Sequence, residues 1–106
     1  MTTAGDFKII IQNDTGDEVR ASKFEYRDGT KSKTENIFGP LGSTTINAGA
    51  HKDYTRNLQG IGNESTEFTV TYQKRSGTNN WSGNHVKTTA TFTCQDNESY
   101  TVVLTD

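Results

Sequence analysis

The chain reads as an all-β domain, an antiparallel β-sandwich of seven or eight strands, and three observations predict it. Three segments alternate with a period of two. Phe68, Val70 and Tyr72 alternate with Glu67, Thr69, Thr71 and Gln73. Ala90, Phe92 and Cys94 alternate with Thr89, Thr91 and Thr93. Tyr100, Val102 and Leu104 alternate with Thr101, Val103 and Thr105. Successive side chains of a strand point to opposite faces, so each segment lays one face on a core and the other in water. Turn signals separate the segments at intervals of about 8–12 residues, the spacing of a sandwich. No window carries a sustained apolar stripe of helical period.

The elements follow in order. Phe7 to Gln12 is a short apolar run, with Phe7, Ile9 and Ile11 on one face and Ile10 on the other. Asn13-Asp-Thr-Gly16 then supplies a turn. Val19 to Tyr26 is the second strand. Its apolar phase changes between Ala21 and Phe24, which predicts a bulge there. Arg27-Asp-Gly29 closes it with a hairpin-type turn. Thr34 to Phe38 forms a short strand, and Gly39-Pro40-Leu41-Gly42 interrupts regular structure. Thr44 to Asn47 pairs briefly before Ala48-Gly49-Ala50 turns. Lys52 to Leu58 reads as an edge strand with Tyr54 as its main apolar contributor. Gly60-Ile-Gly-Asn63 connects it to the three patterned strands. Phe68, Val70, Tyr72, Phe92 and Val102 are expected to meet in one core.

Composition sets the bounds. The 106 residues fit a single domain over 1–106. Only 29% are apolar. A half-solvated antiparallel sandwich manages with this, because only alternate positions need be apolar. Five Phe, four Tyr, one Trp and many β-branched residues set the chain apart from a disordered one. Eleven basic and thirteen acidic residues give a formal charge of −2. No basic surplus is there to neutralise a phosphate backbone, so nucleic acid is not an expected partner. No polybasic anchor and no bilayer-spanning apolar run occur. The start, Met-Thr-Thr-Ala-Gly-Asp, has no apolar signal segment. The chain therefore reads as a cytosolic product, or one released without a classical signal. Cys94 is the single cysteine, so no intramolecular disulfide forms. Sequons at Asn13, Asn63, Asn80 and Asn97 are expected to be accidents of an Asn- and Thr-rich chain.

Candidate chemistry is sparse. No zinc-protease helix motif, Gly-rich phosphate loop or nucleophile elbow occurs, so no enzyme and no cofactor are expected. His51 and Asp53 would share a strand face, but no nucleophile is tied to them, and an ordinary surface pair is the expectation. Cys94 is in phase with Phe92 and reads as a buried small hydrophobe. Asn13, Asp14, Asp17 and Glu18 gather oxygens in one turn, but their spacing is not that of a calcium loop, and a solvated acidic turn is expected.

Trp81 is the sharpest clue. It sits in the polar loop from Arg75 to His85, among Asn79, Asn80 and Asn84. A loop Trp beside amides can stack on a sugar's apolar face while the amides bond its hydroxyls. It can equally settle at a lipid interface. The alternative is that it folds back on the sandwich as a lid. Arg75 could pair with an anionic group.

Two segments resemble the aegerolysin family of small, acidic β-sandwich proteins. Ile9-Ile-Ile-Gln-Asn13 followed by Thr15-Gly16 resembles that family's opening strand and turn. Thr45-Ile-Asn-Ala-Gly49 is similar to its mid-chain strand and Gly turn. The segments cover a small share of the chain. It is shorter than that family's members, has one Trp where they are Trp-rich, and does not match well in its last third. Aegerolysins bind membrane lipids, and some recruit a pore-forming partner, so the resemblance implies a lipid-binding role without assigning residues.

The reading is a non-enzymatic module that recognises a glycan or a membrane-lipid head group through Trp81, Asn79, Asn80, Asn84 and Arg75, with no metal. The alternative is a structural or self-assembling β-sandwich module, whose strand edges pair with copies of itself or a partner protein.

Overall fold

The computed structural model describes residues 3–28, 32–40, 42–60 and 64–105. Gly29 of the first hairpin turn, Leu41 and the connection through Asn63 lie outside them. Ten strands occur among the described residues, and no helix. They are β1 (Thr3–Asn13), β2 (Val19–Arg27), β3 (Ser32–Glu35), β4 (Thr44–Ile46), β5 (His51–Gln59), β6 (Glu64–Gly77), β7 (Asn80–Trp81), β8 (His85–Thr88), β9 (Phe92–Cys94) and β10 (Ser99–Leu104).

They form two layers. One sheet has the order β10-β1-β5. The other is built on β2 and β6, which run antiparallel from Val19↔Lys74 to Arg27↔Glu67. Short strands cover both outer edges of that pair: β3 and β4 beside β2, and β7, β8 and β9 beside β6. The ten strands exceed the expected seven or eight, because the outer edges of the β2–β6 pair are covered by five short pieces. The pairing is antiparallel throughout except for β1 with β10, which is parallel. The expected phase change in β2 is present as a register shift between Ala21 and Lys23.

The core lies between the sheets. Phe7, Ile9 and Ile11 of β1 face Val19, Ala21, Phe24 and Tyr26 of β2 and Phe68, Val70 and Tyr72 of β6, all buried. Phe68 is its centre. Its ring meets Phe24 at 4.9 Å, Phe92 at 4.8 Å and Phe7 at 5.7 Å, each nearly edge-on. Edge-to-face contact suits the ring quadrupole. Ala4, Ile37, Ile46, Leu58, Cys94, Val102 and Leu104 complete the cluster.

The expected strand from Thr89 to Cys94 is corrected. Thr89 to Thr91 is irregular, Ala90 is exposed, and only Phe92–Cys94 is strand, as β9, which pairs with a different stretch of β6 from the preceding β8. Phe92 keeps its inward phase but is only half-buried, stacked on Tyr100 at 3.8 Å. The short strand expected over Thr34–Phe38 is displaced to Ser32–Glu35, after which Ile37 drops into the core.

Candidate functional site

The polar stretch from Arg75 to His85 is an extension of the sheet. β6 continues to Gly77, a two-residue turn of Thr78 and Asn79 follows, and β7 returns beside it. Asn79 adopts a left-handed backbone with φ 63°. Asn tolerates that region better than other non-glycine residues, which is why an amide stands at this corner. Ser82 ties the returning chain down. Its backbone N–H donates to the Lys74 carbonyl at 2.8 Å, and its hydroxyl accepts from the Lys74 N–H at 2.9 Å.

The register makes Trp81 the cross-strand neighbour of Arg75. Side chains at odd positions of β6 point away from the core, so Trp81 lies on the outer face of the sheet. It is half-buried and is no part of the core cluster. The cover comes from two guanidiniums, Arg20 at 4.7 Å and Arg75 at 5.6 Å from the ring centroid. Trp81 is therefore neither a lid on the sandwich nor a free loop side chain. It is a strand residue in a cation–π cluster.

Each arginine is positioned by a partner. Arg75 forms an ion pair with Glu18, and its backbone N–H donates to the Glu18 carbonyl at 2.8 Å. Arg20 lies opposite Gln73 across β2 and β6, and its Nε donates to the Gln73 Oε1 at 3.0 Å. Arg20, Gln73 and Glu18 were absent from the sequence expectation for this site. A register for β2 against β6 could have found them, because Arg20 shares the outward phase of that pair.

Asn79 and Asn80 are exposed at the tip, and Asn84 is exposed beyond the other end of β7, just before β8. Among the described residues, no hydrogen bond engages their side-chain amides. Beneath the hairpin, an open groove of about 760 Å³ separates it from the β1–β2 turn. Asp17, Lys74, Ser82 and His85 line it. The acidic turn and the hairpin, separate candidates in the sequence, thus meet. Lys74 Nζ stands 3.9 Å from Asp17, and His85 stacks on Tyr72 at 5.5 Å.

The turn's oxygens serve the fold. Asn13 is buried. Its Oδ1 accepts from the Thr15 N–H at 3.0 Å, and its Nδ2 donates to the carbonyls of Asp17 and Ile46 at 2.9 Å each. Its own carbonyl accepts from the Gly49 N–H at 2.8 Å. The Ile9–Gly16 and Thr45–Gly49 segments therefore touch at one structural corner. His51 and Asp53 share a face as expected, 3.7 Å apart and both exposed, on β5 of the other sheet. Cys94 is fully buried, and burial, with the charge of Asp96 behind it, pushes its thiol up to about 12. No helix among the described residues is long and apolar enough to cross a membrane. No family model, curated protein or solved structure matches the chain.

Proposed function

We propose that this chain is a non-enzymatic binding module that recognises a glycan or a membrane-lipid head group at the β6–β7 hairpin. The observation that carries the reading is the outward Trp81, set beside Arg75 and below a tip of exposed, unengaged amides. Trp81 supplies apolar contact, Asn79, Asn80 and Asn84 supply hydrogen bonds, and Arg75 supplies a cationic edge. Of the two ligand classes, the geometry favours the glycan. The tip is Gly77-Thr78-Asn79-Asn80, with no apolar side chain to enter a bilayer, and Trp81 sits back from it under two guanidiniums.

The test is Trp81→Ala on a glycan array and in liposome sedimentation. Attachment should be lost with little loss of stability, because two partly exposed cation–π contacts are worth about 1–2 kcal/mol together. A buried core aromatic would cost about 3–5 kcal/mol. Full attachment by the variant would sink the reading. Vesicle binding without glycan binding would select the lipid alternative.

One observation favours the second reading, self-assembly. β10 is an edge strand with no charged residue from Ser99 to Leu104. The opposite edge, β5, carries His51, Lys52, Asp53 and Arg56, charges of the kind that protect an edge from pairing. An assembly module should grow in light-scattering mass with concentration, and Thr101→Lys should abolish that growth.

A further inference from the structure

The outer face of the larger sheet contains an internal comparison. Among the described residues, four cations lie on it: Arg20, Lys23, Arg27 and Arg75. Three have a carboxylate within ion-pair distance. Lys23 has Glu25 at 3.6 Å, Arg27 has Glu67 at 3.2 Å, and Arg75 has Glu18. Arg20 does not, among the described residues. Its cross-strand partner on β6 is Gln73, and Arg27 stands in the same relation to Glu67 on the same two strands. At one end of the β2–β6 pair the position opposite an arginine is an acid. At the other, beside Trp81, it is the neutral amide of the same shape.

The consequence is electrostatic. Gln73 takes hydrogen bonds from the Nε and Nη2 of Arg20 and so fixes the guanidinium plane without cancelling its charge. The Nη1 of Arg20 has no partner among the described residues, nor has the Nη2 of Arg75, whose Nε and Nη1 go to Gly77 and Glu18. Arg20, Arg75 and Glu18 leave one surplus positive charge over the indole. An oriented guanidinium with open donors suits the two oxygens of a carboxylate, or those of a sulfate. From these observations, and resting on the glycan reading above, we propose that the ligand is an acidic saccharide and that Arg20, oriented by Gln73 over Trp81, receives its anionic group.

The experiment is an array of matched glycan pairs: sialylated with asialo, sulfated with unsulfated, and oligogalacturonate with its methyl ester. It is probed with the unaltered chain, Gln73→Glu and Arg20→Gln. Gln73→Glu is the decisive variant, because it keeps both hydrogen bonds to Arg20 and supplies the missing carboxylate. The fold should hold at least as well as before, with unchanged indole fluorescence. Binding should fall on the acidic member of each pair in both variants, by about 10–100-fold, as expected for one charge-assisted hydrogen-bonding group. Binding of the unaltered chain should also weaken with added salt. Equal binding to both members of each pair would overturn the acidic ligand and leave the glycan reading standing. Acidic-selective binding that survives Gln73→Glu would overturn Arg20 as the receiver of the anionic group and leave the glycan reading standing. Binding only to phosphatidylserine vesicles, or to no probe at all, would overturn both.

Discussion

Asn13 shows how the same residue reads differently by sequence and by structure. In the sequence it is one of four oxygen donors in an acidic turn. In the fold it is a buried amide with both ends engaged, holding the β1–β2 turn against β4. Composition offers no means of telling these apart, because the carbonyl of Ile46 comes from 33 residues away. The two readings predict different outcomes. If the amide is structural, Asn13→Ala leaves the Ile46 and Asp17 carbonyls and the Thr15 N–H without this partner. Each unmet buried group costs about 1–3 kcal/mol, so a loss of about 3 kcal/mol is expected by urea unfolding. A midpoint within error of the unaltered chain would show that water replaces the amide at no cost. Asn79 at the hairpin was legible as a hydrogen-bonding candidate, but its left-handed backbone was not, since that follows from a turn whose register the sequence leaves open.

At the level of elements, the longest strand explains both the success and the failure of the period-two reading. β6 has 14 residues, and at about 3.3 Å per residue it spans roughly 46 Å. The molecule's long axis is 45 Å. No other strand among the described residues is as long, and the free edge of β6 is covered in three pieces, β7, β8 and β9. That is why Thr89 to Cys94 alternates in sequence yet is not one strand. Ala90 offers only a methyl group to anchor it, and the chain leaves the sheet there. The pattern of β6 itself was fully legible, because three large side chains in phase allow one register against a core. Of the five residues expected to meet in the core, Phe68, Val70, Tyr72 and Val102 are buried in it and Phe92 packs half-buried against it. Phe68→Ala should cost about 3–5 kcal/mol, a large share of the 5–15 kcal/mol that such a domain has. Phe92→Ala, at a half-buried ring, should cost about half as much. Denaturant midpoints of the two variants decide the order, and a Phe92 loss equal to or above that of Phe68 would show that the stack on Tyr100 closes the core.

Across the whole molecule, the two-layer architecture follows from composition and alternation. The site does not, because Arg20, Gln73 and Trp81 meet only through the register of three strands. The same burial that makes one core from so few apolar residues also buries groups that hold protons. Cys94 has its thiol raised from an ordinary 9.0 to about 12, first by burial and then by Asp96. Tyr26 is raised above 10.0 by burial and then by Glu35, and Tyr54 is raised by burial. All three are neutral when protonated. In the unfolded chain they ionise at their ordinary values, so above about pH 9 the unfolded state gives up protons that the native state keeps. Stability therefore falls as pH rises from there, and these groups have no effect below it. The melting temperature should be level from about pH 7 to 8.5 and decline steadily toward pH 12. Cys94→Ala should delay the onset toward pH 10, where the tyrosines begin. Thiolate absorbance near 240 nm gives an independent reading: in the native protein it should stay absent at pH 9.5 and appear on unfolding. A native thiolate signal with a midpoint near 9, or a melting temperature unchanged through pH 11, would place Cys94 in contact with water and reverse the register of β9 against β6.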